Sequence, residues 1–143
     1  MIKKGMLALQ VMCVSSAAFA GSLTAKDLQG YVVGQLAIQG PNLVVELQIN
    51  SNGTYSYRQG TVDSVSPKGA CTGEYKIQND VFTGDLICKM GGDQQRITQE
   101  IDLKGITLQA LKKGVTVEVR SSVMGGQPLP FTVKKLDKAY FPN

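Results

Sequence analysis

Two cysteines, Cys71 and Cys88, have the spacing of residues that face each other across a β-hairpin. The midpoint between them falls on Asn79-Asp80, a dipeptide typical of two-residue hairpin turns. In the register that this turn sets, the cysteines form a non-hydrogen-bonded pair with Cα atoms roughly 4.5 Å apart, which a disulfide tolerates. The sequence therefore predicts a disulfide-linked hairpin. The same register predicts three further pairs on that face, namely Gly73 with Leu86, Tyr75 with Gly84 and Ile77 with Phe82.

Side chains that commonly carry catalysis are scarce. The chain has no histidine, which excludes Ser-His-Asp and Cys-His catalysis and removes the imidazole metal ligands. Glu74 and Asp85 should oppose each other on the outer face of the hairpin, at about the 5 Å separation of the carboxyl groups in retaining glycosidases. An exposed ribbon without a cleft favours a solvated pair instead. We therefore expect no enzymatic activity, no cofactor and no metal site.

The first twenty residues have the organisation of a secretory signal peptide. Lys3 and Lys4 form the charged start, residues 6–14 are mostly apolar, and Ala18-Phe19-Ala20 supplies small residues for cleavage near Ala20. We expect one domain over residues 21–143, located in the periplasm or secreted, where a disulfide persists. Cleavage would also remove Cys13 and leave 13 basic against 11 acidic residues, a balance too even to indicate nucleic acid as a partner.

Alternation of apolar and polar residues at period two runs through the chain after Gly21, as in Leu43, Val45, Leu47 and Ile49. The pattern predicts an all-β fold with eight strands, near residues 30–38, 43–50, 54–59, 70–77, 82–89, 94–103, 115–121 and 130–136. Strands of similar length with short connections favour an eight-stranded antiparallel up-and-down barrel; a two-sheet β-sandwich is the alternative. Because the aromatic residues share a face with the aliphatic ones while the other face is charged, we expect a barrel that does not span a membrane.

The connections of such a barrel alternate between its two ends. Residues 39–42, 60–69, 90–93 and 122–129 would lie at one end, and the tight turns at the other. The second end also receives residues 104–114, where Thr107 could cap a short helix with Leu108 and Leu111 inward and Gly114 past its end. The sequence thus predicts one plugged end and one open end.

The open end is the predicted place for a ligand, because long loops on a rigid barrel commonly carry binding sites. The inward side chains expected near this mouth are the candidate ligand-binding residues Leu36, Tyr57, Tyr75, Ile97, Val119 and Phe131. Aromatic residues at period two in so narrow a barrel usually pack against each other, which favours plain core over a cavity that holds an apolar molecule. A cavity above roughly 300 Å³ among the long loops would favour a ligand carrier, and its absence would favour an interaction module.

Three short motifs resemble bacterial lipocalin-like barrels: Leu28-x-Gly30-Tyr31 near the first strand, Asn52-Gly53-Thr54-Tyr55 at a turn, and Gly73-x-Tyr75-x-Ile77 in the disulfide-linked hairpin. The resemblance implies a calyx that is open at one end, and it transfers no specific ligand. Our leading expectation is an exported, non-enzymatic barrel that binds a small hydrophobic molecule. The alternative is an interaction or inhibitor module whose loops dock on an envelope protein. The sequence does not indicate an oligomeric state.

Overall fold

Eight antiparallel strands close into a barrel in a computed structural model of the chain, which describes residues 23–37, 43–61 and 63–142. Each strand pairs with its neighbours in sequence, and β1 also pairs with β8 to close the sheet. The prediction of an up-and-down barrel is confirmed against the sandwich. The proposed signal peptide at residues 1–20, the loop at residues 39–42 and the end of the first predicted strand lie outside the described residues.

The strand bounds agree with the predicted ones to within two residues. They are β1 (Gly30–Leu36), β2 (Val44–Ile49), β3 (Thr54–Gly60), β4 (Cys71–Gln78), β5 (Val81–Met90), β6 (Asp93–Asp102), β7 (Val115–Ser121) and β8 (Leu129–Leu136). The agreement follows from the clear period-two alternation, since inward positions must be apolar when one face of a sheet is buried.

The hairpin of β4 and β5 has the register that its turn predicted. Cys71 pairs with Cys88, and the three other expected pairs are all present. Asn79 and Asp80 adopt φ values of 53° and 62°, as a turn with positive φ at both central residues requires. The two cysteines form a disulfide across a Cα–Cα distance of 4.0 Å. The disulfide therefore links β4 and β5 next to the end of the barrel that carries the long loops.

Two short helices contribute apolar side chains to the end that holds the tight turns. The predicted one, α2 (Leu108–Lys113), begins after Thr107, whose hydroxyl accepts the N–H of Ala110 at 3.1 Å, and it buries Leu111 to 1% exposure. The other, α1 (Ala25–Leu28), was not predicted and buries Leu28. None of the helices in the described part of the chain has the length and apolarity to cross a bilayer.

Three aromatic rings fill the barrel interior next to this plugged end. Tyr75 and Phe82 stack with centroids 5.0 Å apart, and Tyr55 meets Phe82 edge-on at 5.3 Å. The ring of Tyr55 passes directly over Gly84, where a Cβ atom would lie only 2.1 Å from the Tyr55 hydroxyl oxygen. Glycine at this inward position is what allows the aromatic cluster to form.

The C-terminal segment after β8 lies on the outside of the barrel. Glu46, an outward residue of β2 that is only 3% exposed, accepts the backbone N–H groups of Tyr140 at 2.5 Å and Phe141 at 3.1 Å. The Arg58 guanidinium lies 5.5 Å from the centroid of the Phe141 ring and donates to the Pro142 carbonyl at 3.3 Å. These contacts hold the segment over β2 and β3.

Candidate functional site

An apolar cavity of about 110 Å³ occupies the half of the barrel nearest the long loops. It lies between the inward faces of β1, β2 and β3 on one side and of β6, β7 and β8 on the other. Its wall is formed by Val32, Gly34, Leu43, Val45, Leu47, Tyr57, Gln59, Gln99, Ile101, Val119, Ser121, Val123, Met124, Phe131 and Val133. By contrast, the void beside the plugged end measures only about 20 Å³. The two ends of the barrel therefore differ in packing, as predicted. The predicted separation of loops from tight turns is incomplete, because Met90 pairs with Asp93 and leaves a two-residue turn at the cavity end.

A single turn of 3-10 helix, Ser122–Met124, forms one side of the cavity mouth. Ser122 ties this turn to the neighbouring strand, because its hydroxyl accepts the N–H of Thr98 at 3.0 Å. Val123 is 50% exposed and Leu43 is 37% exposed, although both also line the cavity. The apolar wall thus continues to the surface at this end of the barrel.

Polar groups occupy a small part of the wall. The hydroxyl of Tyr55, below the cavity, donates to Gln99 Oε1 at 2.8 Å, and the hydroxyl of Tyr57 donates to Gln59 Oε1 at 2.8 Å. Burial raises the pKa of Tyr57 to about 12, and burial together with the charge of Asp85 raises the pKa of Tyr55. Both tyrosines therefore stay neutral donors across the physiological range of pH.

Three of the six candidate ligand-binding residues, Tyr57, Val119 and Phe131, line this cavity. The other three do not. Leu36 is half-buried opposite Phe131, and Ile97 is buried opposite Leu86. Tyr75 belongs to the aromatic cluster, and its hydroxyl donates to the Asn50 carbonyl at 2.5 Å beside a tight turn. Its position along β4 puts it in the plugged half, away from the mouth.

Sequence reasoning missed two polar wall residues that face each other across the β6–β7 pairing, Gln99 and Ser121. Both are buried, at 8% and 3% exposure. A signal for Gln99 was available, since a glutamine that alternates with Ile97 and Ile101 must point inward with them. Ser121 carried the same signal, since it continues the alternation of Val115, Val117 and Val119 to the end of the predicted strand.

Grooves on the outer surface are larger than the cavity but shallower, with volumes between about 330 and 470 Å³, and polar side chains make up much of their lining. Glu74 and Asp85 oppose each other on the outer face of the hairpin, as predicted. The guanidinium of Arg96 binds both carboxylate oxygens of Asp85, and this hydrogen bonding lowers the pKa of that carboxyl. The internal cavity is therefore the better candidate for a binding site, because it removes a ligand from water.

No protein-family model, no curated protein and no solved structure matches the chain.

Proposed function

We propose that this protein is a non-enzymatic barrel that binds one small hydrophobic molecule in the cavity at its long-loop end. The observation that carries the proposal is the apolar cavity of about 110 Å³ that reaches the surface beside Leu43 and Val123. Protein interiors are normally filled to the density of organic crystals, so an apolar space that opens at one end is unusual. Binding sites for small molecules are mostly apolar clefts with a few polar groups, which is the composition found here.

The volume limits the ligand to about one ring or a short alkyl group. It is well below the roughly 300 Å³ that would favour a ligand carrier, so the volume criterion set from the sequence favours the interaction module, and the binding proposal rests instead on the apolar lining of a space that opens at the surface. A bulky ligand enclosed in the barrel is not part of the proposal. An engineered apolar cavity of roughly 150 Å³ is large enough to bind benzene. A ligand of this size, or the apolar end of a larger one, matches the space between Tyr57, Val119 and Phe131.

We also propose that the protein acts outside the cytoplasm, in the periplasm or as a secreted protein. The proposal rests on the signal-peptide pattern of residues 1–20 and on the Cys71–Cys88 disulfide, since disulfides persist mainly in oxidising compartments. Purification from the producing cell's envelope or medium, with the N-terminus read by mass spectrometry, tests it. A mature chain that starts near Gly21 supports export, and an uncleaved chain in the cytoplasm contradicts it.

Thermal unfolding with toluene as the probe tests the binding proposal. A ligand that binds only the folded state, at ten times its Kd, stabilises that state by about 1.4 kcal/mol. The variant Val45→Phe blocks the cavity, because Val45 is half-buried in the cavity wall and a phenylalanine ring at this position fills the space. The matched control is Ile87→Phe, on the exposed outer face of β5.

We expect toluene to raise the Tm of the wild type and of Ile87→Phe and to leave the Tm of Val45→Phe unchanged. The proposal is wrong if the wild type shows no saturable shift. It is equally wrong if the two variants respond alike, because the probe would then bind somewhere other than the cavity.

A second candidate, docking of an envelope protein at the same end, is favoured by an uncovered strand edge. In the part of the chain that the structure describes, β7 pairs with β6 only from Gln99 to Ile101, so residues 93–97 have no strand beside them on that side. Such an edge can accept an extended peptide through main-chain hydrogen bonds. Exposed Val123 and Leu43 lie at the same end of the barrel.

Gln94→Pro tests this candidate without breaking the barrel. Because Met90 and Asp93 close a two-residue turn, Gln94 forms a non-hydrogen-bonded pair with Lys89 and directs its N–H to the uncovered edge. Proline removes that donor and blocks pairing of a further strand. Docking is supported if the wild type and Val45→Phe crosslink to the same envelope protein and Gln94→Pro does not. Crosslinking that Gln94→Pro leaves unchanged contradicts it.

A further inference from the structure

We infer that the ligand of this cavity is a ring-sized molecule carrying one neutral hydrogen-bonding group, such as a hydroxyl or a carbonyl, which Ser121 and Gln99 bind. This inference rests on the proposed function and specifies the chemistry of the ligand. It comes from the only part of the described wall in which two buried polar side chains face each other across paired strands.

Ser121 supplies the first observation. Its side chain is 3% exposed and forms part of the cavity wall, and Oγ has no hydrogen-bond partner among the described residues. Buried hydroxyl groups almost always have a partner, because an unpaired one lowers stability relative to an apolar side chain of the same shape. A partner supplied by a bound ligand would account for a serine at this position.

Gln99 supplies the second observation. It lies directly opposite Ser121 in the β6–β7 register, and its Oε1 atom already accepts the hydroxyl of Tyr55 at 2.8 Å. The carbonyl end of the amide is therefore engaged, and the amide nitrogen, with two N–H donors, remains for a ligand. The amide donors and the Ser121 hydroxyl together complement a group that accepts hydrogen bonds.

The remaining wall decides that this group is neutral. None of the described residues that line the cavity is a lysine, arginine, aspartate or glutamate, and the Glu100 and Arg120 side chains, which border the outer groove that Gln99 and Ser121 also line, are exposed to water. A carboxylate or an ammonium group placed there would lose its hydration without gaining an opposite charge, which strongly disfavours binding. A hydroxyl or carbonyl loses much less hydration, and one or two hydrogen bonds replace it.

Phenol and toluene test the inference, because they have nearly the same size and differ in a hydroxyl against a methyl group. Dissociation constants are measured by isothermal titration for the wild type, for Ser121→Ala and for the matched control Ser56→Ala on the outer face of β3. Benzoate serves as the charged analogue. We expect Ser121→Ala to weaken phenol binding by roughly 3- to 10-fold, the loss of one net hydrogen bond, and to leave toluene binding unchanged.

A second readout does not involve a ligand. If the Ser121 hydroxyl is unpartnered in the free protein, Ser121→Ala has a Tm equal to or above that of the wild type, because alanine removes a buried unsatisfied group. A lowered Tm would show that the hydroxyl has a structural partner and would overturn the inference.

The binding outcomes separate this inference from the proposed function. Failure of toluene and phenol alike to bind the wild type refutes the proposed function and this inference with it. Toluene binding without any selective effect of Ser121→Ala on phenol refutes the inference alone. Benzoate that binds as tightly as phenol also refutes it, since the site would then accept a charge.

Discussion

The contact between Tyr55 and Gly84 is where we expect a single methyl group to have the largest effect on the barrel. In Gly84→Ala, the new Cβ would lie 2.1 Å from Tyr55 Oη and 2.6 Å from Tyr55 Cζ. Tyr55 is 2% exposed and packs edge-on against two other rings, so it has little room to move. Adding a methylene to a packed core destabilises by about 1–3 kcal/mol. Displacing the Tyr55 hydroxyl also leaves Gln99 Oε1 without its donor, which adds about 1 kcal/mol or more.

We therefore expect Gly84→Ala to lower the free energy of unfolding by about 2–4 kcal/mol. For a domain of this size that corresponds to a fall in Tm of about 8–16 °C. Urea unfolding followed by circular dichroism measures the effect. The matched control is Gly34→Ala, an inward glycine whose new Cβ would lie 3.3 Å or more from its neighbours. We expect that variant to change stability by less than about 1 kcal/mol, since removing backbone freedom from the unfolded chain offsets the mild crowding.

A double-mutant cycle with Tyr55→Phe separates the two contributions. Phenylalanine removes the hydroxyl but keeps the ring, so Gly84→Ala should cost about 1 kcal/mol less in that background than in the wild type. If Gly84→Ala and Gly34→Ala lower the free energy of unfolding equally, the reasoning is refuted, because the Tyr55 ring could not then occupy the space above Gly84.

Three further effects follow from other parts of the molecule. Replacing both Cys71 and Cys88 with alanine should lower the free energy of unfolding by roughly 3 kcal/mol, as measured in urea under oxidising conditions, and a variant as stable as the wild type would mean that the bond does not form. Glu46→Ala should lower stability by about 1.5–3 kcal/mol and speed hydrogen exchange at the C-terminal segment, with Glu46→Gln losing less because it keeps an acceptor oxygen; unchanged exchange would contradict the contact. Burial raises the pKa of Tyr57 to about 12, so the folded state disfavours ionisation of this hydroxyl. The contribution of neutral Tyr57 to the free energy of unfolding is therefore complete below pH 10 and falls by up to about 3 kcal/mol as the pH rises towards 12. Tyr57→Phe should show a shallower fall in stability over that range.

Most of the barrel could be predicted from the sequence because local rules determine it. The Asn79-Asp80 turn sets the register of β4 and β5, and a shift of one residue would turn every apolar side chain of that hairpin outward. The same reasoning gives the strand bounds and the plugged end, where Thr107 caps the short helix and Leu111 is buried, as their spacing predicts. Closure by pairing β1 with β8 follows from strand number and length.

The features that could not be predicted depend on contacts between residues far apart in the chain. Glu46 and the C-terminal segment are separated by more than ninety residues, and no periodicity links them. The helix α1 could have been found, since Thr24 and Asp27 have the spacing of a capping box ahead of buried Leu28.

Only some of the candidate site residues were predicted at the right level of the barrel. Alternation shows which side chains point inward, and counting residues from the Asn79-Asp80 turn would have put Tyr75 in the plugged half, since it lies only four residues before that turn. Tyr57 and Phe131 are at the level of the cavity, whereas Tyr75 is at the level of the aromatic cluster. A cavity is moreover a property of packing among six strands, so its volume cannot be derived from the pattern of any one of them.

Methyl NMR of the labelled protein during a toluene titration tests the central claim most directly. We predict saturable shifts at the valine methyl groups that line the cavity, with Val119 and Val133 the most affected, and no shifts at Ile77 beside the plugged end. A titration without saturable shifts, or with shifts confined to exposed residues such as Ile87, would show that the cavity does not bind an apolar molecule.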